Sequence, residues 1–272
     1  MTTREMVNIA LKLAGLTEDT VDTEIGCEGK DIKRVLAGID MSDATLLAAK
    51  EMGYDCVAEH HGIMGKAMHI GDQMLKDQMM RMYDFGVPIN VAQKAIEKRA
   101  KNESERMHSK NLNRQADFAK FLEMPYIGLH TPADLIGQKI VQDRMDELTK
   151  DKPFTTLRDV VNALNEFPEI QNALQDPVIR AGSPDSYAGR VCVLFAGVTG
   201  GGAQVYKTFF DYGVGTLIMM HMSDDDVKAV QEHNKGNVII AGHMASDSIG
   251  FNRVLDAWEE AGLEVTRIGG LV

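Results

Sequence analysis

The sequence predicts an α/β protein with a three-layer α/β/α architecture, and two observations indicate it. Short apolar runs rich in Val, Ile and Leu alternate with longer amphipathic segments along the 272 residues. From Arg190 onward the alternation is regular, with strand and helix candidates following each other to the end. Because strands separated by helices pair mostly in parallel, we expect parallel or mixed sheets that are covered by helices.

The strand candidates are short apolar runs, which are typical of buried strands. They cover residues 34–39, 55–59, 126–129, 190–197, 216–220, 237–241 and 264–268. Helix candidates cover 43–53, 68–85, 90–123, 132–150, 156–175, 202–213, 223–235 and 247–261. The capping pattern Thr2-x-x-Glu5 predicts a further helix at the N-terminus, which ends at Gly15. The polar stretch 176–189 is predicted to be an exposed connection.

The chain is acidic, since 29 Lys and Arg stand against 40 Asp and Glu, a net charge of −11. This balance excludes nucleic acid and an anionic membrane as main partners, because both require a basic surface. The apolar runs are too short to span a bilayer, and the N-terminal segment is too polar for a signal peptide. The three cysteines are far apart and form neither a disulfide framework nor a thiolate metal motif. We therefore expect a cytoplasmic protein.

Histidines directly follow four of the predicted strands. They are His60 and His61 after 55–59, His130 after 126–129, His221 after 216–220 and His243 after 237–241. Open α/β sheets bind their ligands at the carboxyl ends of the strands. A turn at Gly62 would let the rings of His60 and His61 reach one cavity. The alternative for this pair is a polar surface patch.

Two acidic residues lie close to these histidines. Asp134 follows His130 as a helix begins, where it could be a metal ligand or could complete a capping box with Thr131. Asp247 follows His243 by four residues, so both could lie on one helical face, or Asp247 could cap the helix. Imidazoles and carboxylates together suit Zn, Mn, Fe or Co, and their number suits two ions with a bridging water. The candidate ligands are His60, His61, Asp134, His243 and Asp247.

A glycine-rich turn follows the predicted strand 190–197. Backbone N–H groups of Thr199, Gly200 and Gly201 could bind an anionic group of a substrate at the start of the next helix. The turn matches neither the P-loop nor the G-x-G-x-x-G pattern. The alternative is a tight connection between strand and helix.

The motifs DCVAEHHG, HTPAD, GVTGGG and GHMASD, in this order, resemble the NGG-interacting-factor-three-like family, the type 2 GTP cyclohydrolase I-like, dinuclear metal-centre proteins. The resemblance runs from about residue 34 to the C-terminus. It implies two divalent metal ions held by the five candidate ligands named above. It also implies two similar, intertwined lobes, residues 1–130 with the helical segment 90–123 and residues 131–272, with C-terminal elements that could swap. A toroidal homohexamer is implied as well.

The chain departs from the family pattern at three places. Gly62 stands where the family commonly has Pro, and Asp247 where it commonly has Glu. The segment 90–123 lengthens the interval between His61 and His130, and could cover the site or form a subunit contact. The shorter Asp247 side chain could change metal identity or occupancy.

These patterns lead to one main functional hypothesis and two alternatives. The main hypothesis is a metal-dependent hydrolase that acts on a small nucleotide-like or phosphorylated molecule, cyclohydrolase-like by resemblance. His130 and His221 would then serve as acid or base, or as additional ligands. The alternatives are a non-enzymatic metal-storing or regulatory protein, and an interaction scaffold that uses the segment 90–123.

Overall fold

The computed structural model describes residues 1–198 and 200–272. It has an α/β fold with two mixed sheets, which confirms the predicted fold class. The strands are β1 Thr23–Cys27, β2 Arg34–Gly38, β3 Cys56–Glu59, β4 Tyr126–Leu129, β5 Val178–Ala181, β6 Arg190–Leu194, β7 Val214–Met219, β8 Asn237–Ile240 and β9 Glu264–Ile268.

The helices alternate with these strands along most of the chain. They are α1 Thr3–Leu13, α2 Asp43–Glu51, α3 Ile70–Asp84, α4 Ile89–Met107, α5 Arg114–Phe121, α6 Thr131–Thr149, α7 Leu157–Leu164, α8 Pro168–Gln171, α9 Ala203–Asp211, α10 Asp224–His233 and α11 His243–Glu260. A 3-10 helix, Gly65–His69, precedes α3. The predicted capping box opens α1, with reciprocal bonds between Thr2 and Glu5.

The chain forms two compact units, each made of separate segments. Unit 1 comprises Met1–Ile70, Ser104–Ile136 and Asp247–Leu271, and unit 2 comprises Gly71–Glu103, Gly137–Ser246 and Val272. The predicted lobes are two consecutive stretches of sequence, residues 1–130 and 131–272. Each compact unit contains segments from both stretches. None of the described helices combines the length and the apolar character that crossing a bilayer requires.

Unit 1 contains a five-stranded sheet in the order β1-β4-β3-β2-β9. Strands β4, β3, β2 and β9 are parallel, and β1 is antiparallel to β4. All residues of β3 and β4 are buried, so both faces of the central strands are covered. On one face Leu36 and Val57 pack with residues of α2 and α5. Helices α1 and α11 meet where the buried Trp258 donates to the carbonyl of Met6.

Unit 2 contains a four-stranded sheet in the order β5-β8-β7-β6. Strands β8, β7 and β6 are parallel, and β5 is antiparallel to β8. Its core combines strand residues such as Leu217 with Met74 and Met82 of α3 and Phe209 of α9. Two methionines of α3 therefore fill the core of this unit.

The sequence prediction was incomplete at the sheet edges and within two helical segments. Strands β1 and β5 were not predicted, and β5 lies in the stretch 176–189 that was expected to be a connection. Both are short, partly exposed edge strands, so neither has a continuous apolar run. The segment 90–123 forms two helices, α4 and α5, and 156–175 forms α7 and α8, because Pro168 cannot continue the α7 helix.

Glutamine side chains of α6 cover the free edge of β6. Gln142 accepts from the Val193 N–H at 2.9 Å and donates to the Val191 carbonyl at 3.0 Å. Gln138 accepts from the Phe195 N–H at 3.1 Å. These amides pair with the strand as a neighbouring strand would, so they protect an edge that could otherwise bind another chain.

Gln142→Leu is expected to destabilise the protein by about 2–4 kcal/mol, because two buried backbone groups lose their partners. The free energy of unfolding in urea measures the effect. Lys139→Leu is the matched control, since Lys139 is exposed on the same helix and pairs with Asp143 only at the surface. Equal unfolding free energies for the two variants would contradict the role of Gln142 at the strand edge.

Candidate metal centre

Three of the predicted histidines and both predicted acids meet within unit 1. His60 and His61 follow β3, and His130 follows the adjacent parallel strand β4, so the three rings lie at one edge of the sheet. Asp134 lies in the first turn of α6, and Asp247 in the second turn of α11. Folding thus brings residues from three separate parts of the sequence to the carboxyl ends of β3 and β4.

The Nε2 atoms of the three imidazoles face the two carboxylates. His60 Nε2 lies 3.3 Å from Asp134 Oδ1 and 3.6 Å from Asp247 Oδ1. His61 Nε2 lies 3.3 Å from Asp247 Oδ2, and His130 Nε2 lies 3.8 Å from Asp134 Oδ2. The ring of His60 is 4.9 Å from each of the other two rings, centroid to centroid. Nitrogen and oxygen atoms that can bind a metal ion therefore face one another across a few ångströms.

The opposite nitrogen of each ring, Nδ1, contacts a protein oxygen. The partners are the Leu129 carbonyl at 3.1 Å for His60, Asp40 at 2.9 Å for His61 and Asp22 at 2.8 Å for His130. Metal-binding histidines generally have such a partner, which fixes the ring and leaves the other nitrogen for the ion. The site therefore has the supporting contacts of a metal centre as well as the ligands.

Three ionisable residues of the site are almost completely buried, so the charge of each depends strongly on its neighbours. His60, Asp134 and Asp247 are 0%, 3% and 1% exposed. Burial acts to lower the pKa of His60, but the facing carboxylates of Asp134 and Asp247 outweigh it and raise that pKa to about 10. Without a metal, the imidazole is therefore held as a cation between two carboxylates.

The residues present fit a divalent cation. Within the described part of the chain, His60 Nε2 and Asp134 Oδ1 are buried and make no hydrogen bond, although they lie close together. An ion that both atoms coordinate would bind directly to two atoms that otherwise attract each other only by charge across 3.3 Å. Two groups of three residues in unit 1 could each hold an ion, His60 with His61 and His130, and His60 with Asp134 and Asp247.

Metal loading is expected to release protons. Because the raised pKa keeps His60 protonated in the metal-free protein from about pH 6 to 8, an ion must displace that proton. Affinity should then rise about tenfold per pH unit for each proton displaced. Calorimetry in buffers of different ionisation enthalpy counts the protons released. An affinity that is independent of pH, with no proton release, would contradict the protonated His60.

The other two predicted histidines lie in unit 2. His243 is the first residue of α11, one turn before Asp247, so the two side chains project from the same face of that helix. His221 follows β7 and is exposed, and its ring is 4.9 Å from that of His243, centroid to centroid. The roles of His243 as a ligand and of His221 as an acid or base stay predictions.

The glycine-rich turn has a structural explanation of its own. Thr199 lies outside the described residues. A Cβ on Gly200 would clash with the Tyr206 hydroxyl, and one on Gly201 with Val205. The first N–H of α9, that of Ala203, already donates to Asp226 at 2.7 Å. Anion binding by Thr199, Gly200 and Gly201 stays a prediction, and an anion at Ala203 would have to displace a carboxylate.

The contacts of Asp134 and Asp247 decide two questions that the sequence left open. Thr131 is the first residue of α6, and the Asp134 N–H, which a capping box would direct to the Thr131 hydroxyl, donates to the His130 carbonyl at 3.2 Å. The short side chain of Asp247 contacts both His60 and His61, so Asp is long enough where the family commonly has Glu.

Sequence reasoning missed Asp22 and Asp40, which bind the Nδ1 atoms of His130 and His61. Asp22 precedes β1, a strand that the sequence did not reveal. Asp40 lies just beyond β2, at the carboxyl end of a predicted strand. The rule that singled out His60 could therefore have identified Asp40, but no local pattern points to Asp22.

Together, the α/β fold and the buried cluster of imidazoles and carboxylates define a protein suited to binding metal ions. A NIF3 superfamily protein from Sphaerobacter thermophilus, whose crystal structure has been solved, is 33% identical in sequence to the chain. The two structures match with a TM-score of 0.95, and the match covers 100% of this chain and 99% of that one. The chain belongs to the NIF3 superfamily, which confirms the resemblance seen in the sequence.

One more distant match is a sequence, and another is a solved structure that shares the fold. A Yersinia pestis protein named GTP cyclohydrolase 1 type 2 homolog is 24% identical over 265 residues, covering 93% of this chain and 91% of its own length. The structure of reduced HcgD from Methanocaldococcus jannaschii has a TM-score of 0.59 at 13% identity, covering 98% of this chain and 97% of that one. No family model matches the chain.

Proposed function

We propose that the protein is a metal-dependent hydrolase with a dinuclear centre that acts on a small nucleotide-like or phosphorylated molecule. The observation that carries this proposal is the buried cluster around His60, where imidazole and carboxylate atoms face each other. The proposed ligands are His60, His61, Asp134 and Asp247 in unit 1, with His243 one turn before Asp247. The name of the Yersinia pestis relative supports a nucleotide-like substrate.

The proposed chemistry divides between the buried and the exposed residues. Divalent ions at this site would lower the pKa of a water molecule and polarise a phosphoryl or carbonyl oxygen. His60, Asp134 and Asp247 are buried and would hold the ions. The side chains of His61 and His130 are 22% and 13% exposed, so a substrate would approach along them. His130 and His221 are candidates for acid or base, or for additional ligands.

Charge balance is compatible with an anionic substrate despite the net charge of −11. The positive charge of two divalent ions would exceed the negative charge of the Asp134 and Asp247 carboxylates within the site. The local field would then attract a phosphate group although the chain as a whole is acidic. Free nucleotides and other small phosphoesters would be attracted equally.

The proposal is tested by a turnover screen of metal-loaded, untagged protein against phosphoesters, nucleotides and cyclic amides. Asp134→Asn should abolish any turnover that is found while the far-UV circular dichroism stays unchanged. Asp143→Asn is the matched control, since Asp143 is an exposed residue of the same helix. Metal binding without turnover on any substrate would instead support the alternative, a metal-storing or regulatory protein.

The assembly and the compartment are also proposals. From the family resemblance we propose a homohexamer in the cytoplasm. Light scattering should give a mass near six times 30.0 kDa. A monomeric mass at micromolar concentration would contradict the hexamer.

A further inference from the structure

Asp22 is a fully buried carboxylate that contacts the candidate site through one histidine. It is 0% exposed and lies just before β1. Its carboxylate accepts hydrogen bonds from the hydroxyls of Thr20 at 2.6 Å and Thr131 at 2.7 Å, and it lies 2.8 Å from His130 Nδ1. A carboxylate with this many donors is strongly held in one orientation.

The charge of Asp22 determines which atom donates to it. The hydroxyls of Thr20 and Thr131 both donate to this carboxyl group, and donors directed at both of its oxygens favour the ionised form. An ionised carboxylate only accepts hydrogen bonds, so the hydrogen in the contact belongs to His130 Nδ1. In the neutral imidazole, Nε2 then carries the lone pair.

That lone pair faces the metal-ligand cluster. His130 Nε2 lies 3.8 Å from Asp134 Oδ2, and the ring is 4.9 Å from the ring of His60, centroid to centroid. With the opposite tautomer, Nε2 would present a hydrogen to this space and could neither bind an ion nor accept a proton. The tautomer of His130 therefore decides whether this ring can act in the site.

We propose that Asp22 is a positioning residue that holds His130 in the Nδ1–H tautomer, with the Nε2 lone pair directed at the site. The tautomer follows from the contacts alone, whereas its effect on metal affinity rests on the proposed function. Asp40 makes a similar contact with His61, but its side chain is 68% exposed, so water competes with that contact. Asp22 is sealed from water, so its control over the ring is stronger.

The first test measures the tautomer directly and needs no metal. Nitrogen-15 chemical shifts of His130, recorded at an alkaline pH where the ring is neutral, distinguish the Nδ1–H form from the Nε2–H form. We expect the Nδ1–H form in the wild type. In Asp22→Asn, whose amide can donate to Nδ1, the Nε2–H form should appear. A wild-type ring in the Nε2–H form would overturn the proposal, and so would an unchanged tautomer in Asp22→Asn.

The second test separates positioning from a purely structural role. Asp22→Asn should weaken Zn²⁺ binding by about 10–100-fold, as loss of an outer partner of a ligand commonly does. Thr131→Val is the matched control, because it removes one bond to Asp22 but leaves the contact with His130, so it should change stability and not the tautomer. In a His130→Gln background, Asp22→Asn should have no further effect on Zn²⁺ affinity.

The outcomes are distinguishable from a failure of the proposed function. An effect of Asp22→Asn on Zn²⁺ affinity that persists in His130→Gln would mean that Asp22 acts through the fold, which overturns positioning. If wild-type protein binds no Zn²⁺ at all, the proposed function fails, while the tautomer measurement still decides the role of Asp22.

Discussion

Gly128→Ala is expected to destabilise the protein by about 4 kcal/mol or more, a larger loss of stability than most single substitutions cause. A Cβ at residue 128 would lie 1.9 Å from the carbonyl oxygen of Gly62 and 2.8 Å from its carbonyl carbon. Both are backbone atoms, which cannot rotate away as a side chain can. The segment after His61 would have to move away from β4.

The same substitution is expected to disturb the metal centre. Gly62 is fixed by its own surroundings, since a Cβ there would lie 2.7 Å from the Tyr126 hydroxyl. Displacement of this residue would carry His61, its neighbour, away from Asp247. The close approach of two backbones also explains why the chain has Gly at position 62, where the family commonly has Pro.

Urea unfolding with circular dichroism measures the effect of Gly128→Ala. Gly65→Ala is the control, because its nearest contact is the side chain of the exposed Asn113 at 3.0 Å, which can move. The control should change stability by less than about 1 kcal/mol. Wild-type stability in Gly128→Ala would mean that the approach of residues 62 and 128 is wrong.

His60→Ala is expected to cause the largest loss of metal affinity. The imidazole of His60 lies between Asp134 and Asp247 and is fully buried, so no other side chain or solvent can replace it. The loss of affinity should exceed the roughly 10–100-fold loss that follows when a residue hydrogen-bonded to a metal ligand is removed. The two carboxylates would also lose the cation that separates them in the metal-free protein.

Thermal unfolding with and without metal provides a readout that is independent of turnover. An ion at 100 times its Kd stabilises the wild type by about 2.7 kcal/mol, and His60→Ala should lose this stabilisation. His108→Ala, which changes the exposed histidine directly after α4, should keep the stabilisation by metal. Equal metal stabilisation in His60→Ala and the wild type would exclude the proposed role of His60.

Much of the fold could be predicted because the central strands are buried on both faces. Strands β2, β3, β4 and β6 are nearly continuous apolar runs, which a short window of sequence reveals. Strands β1 and β5 could not be found in this way, because an edge strand needs only partial burial. The assignment of segments to the two units also depends on contacts distant in sequence, which no local pattern contains.

The candidate site was predictable where chemistry and strand ends coincide. His60, His61 and His130 each follow a recognisable buried strand, so their convergence could be anticipated. Asp22 could not be anticipated, because its role depends on the pairing of β1 with β4, residues 23 and 129 being direct partners. The residues that orient a site are thus harder to infer than its ligands, since their signal lies only in the tertiary structure.

The most direct measurement is anomalous diffraction from crystals grown with Zn²⁺ or Mn²⁺. We expect a strong anomalous peak at about 2.0–2.2 Å from His60 Nε2, with Asp134 or Asp247 as a further ligand. A second peak nearby would support the dinuclear centre. Crystals at saturating metal with no anomalous peak beside His60 would contradict the assignment of this cluster as a metal centre.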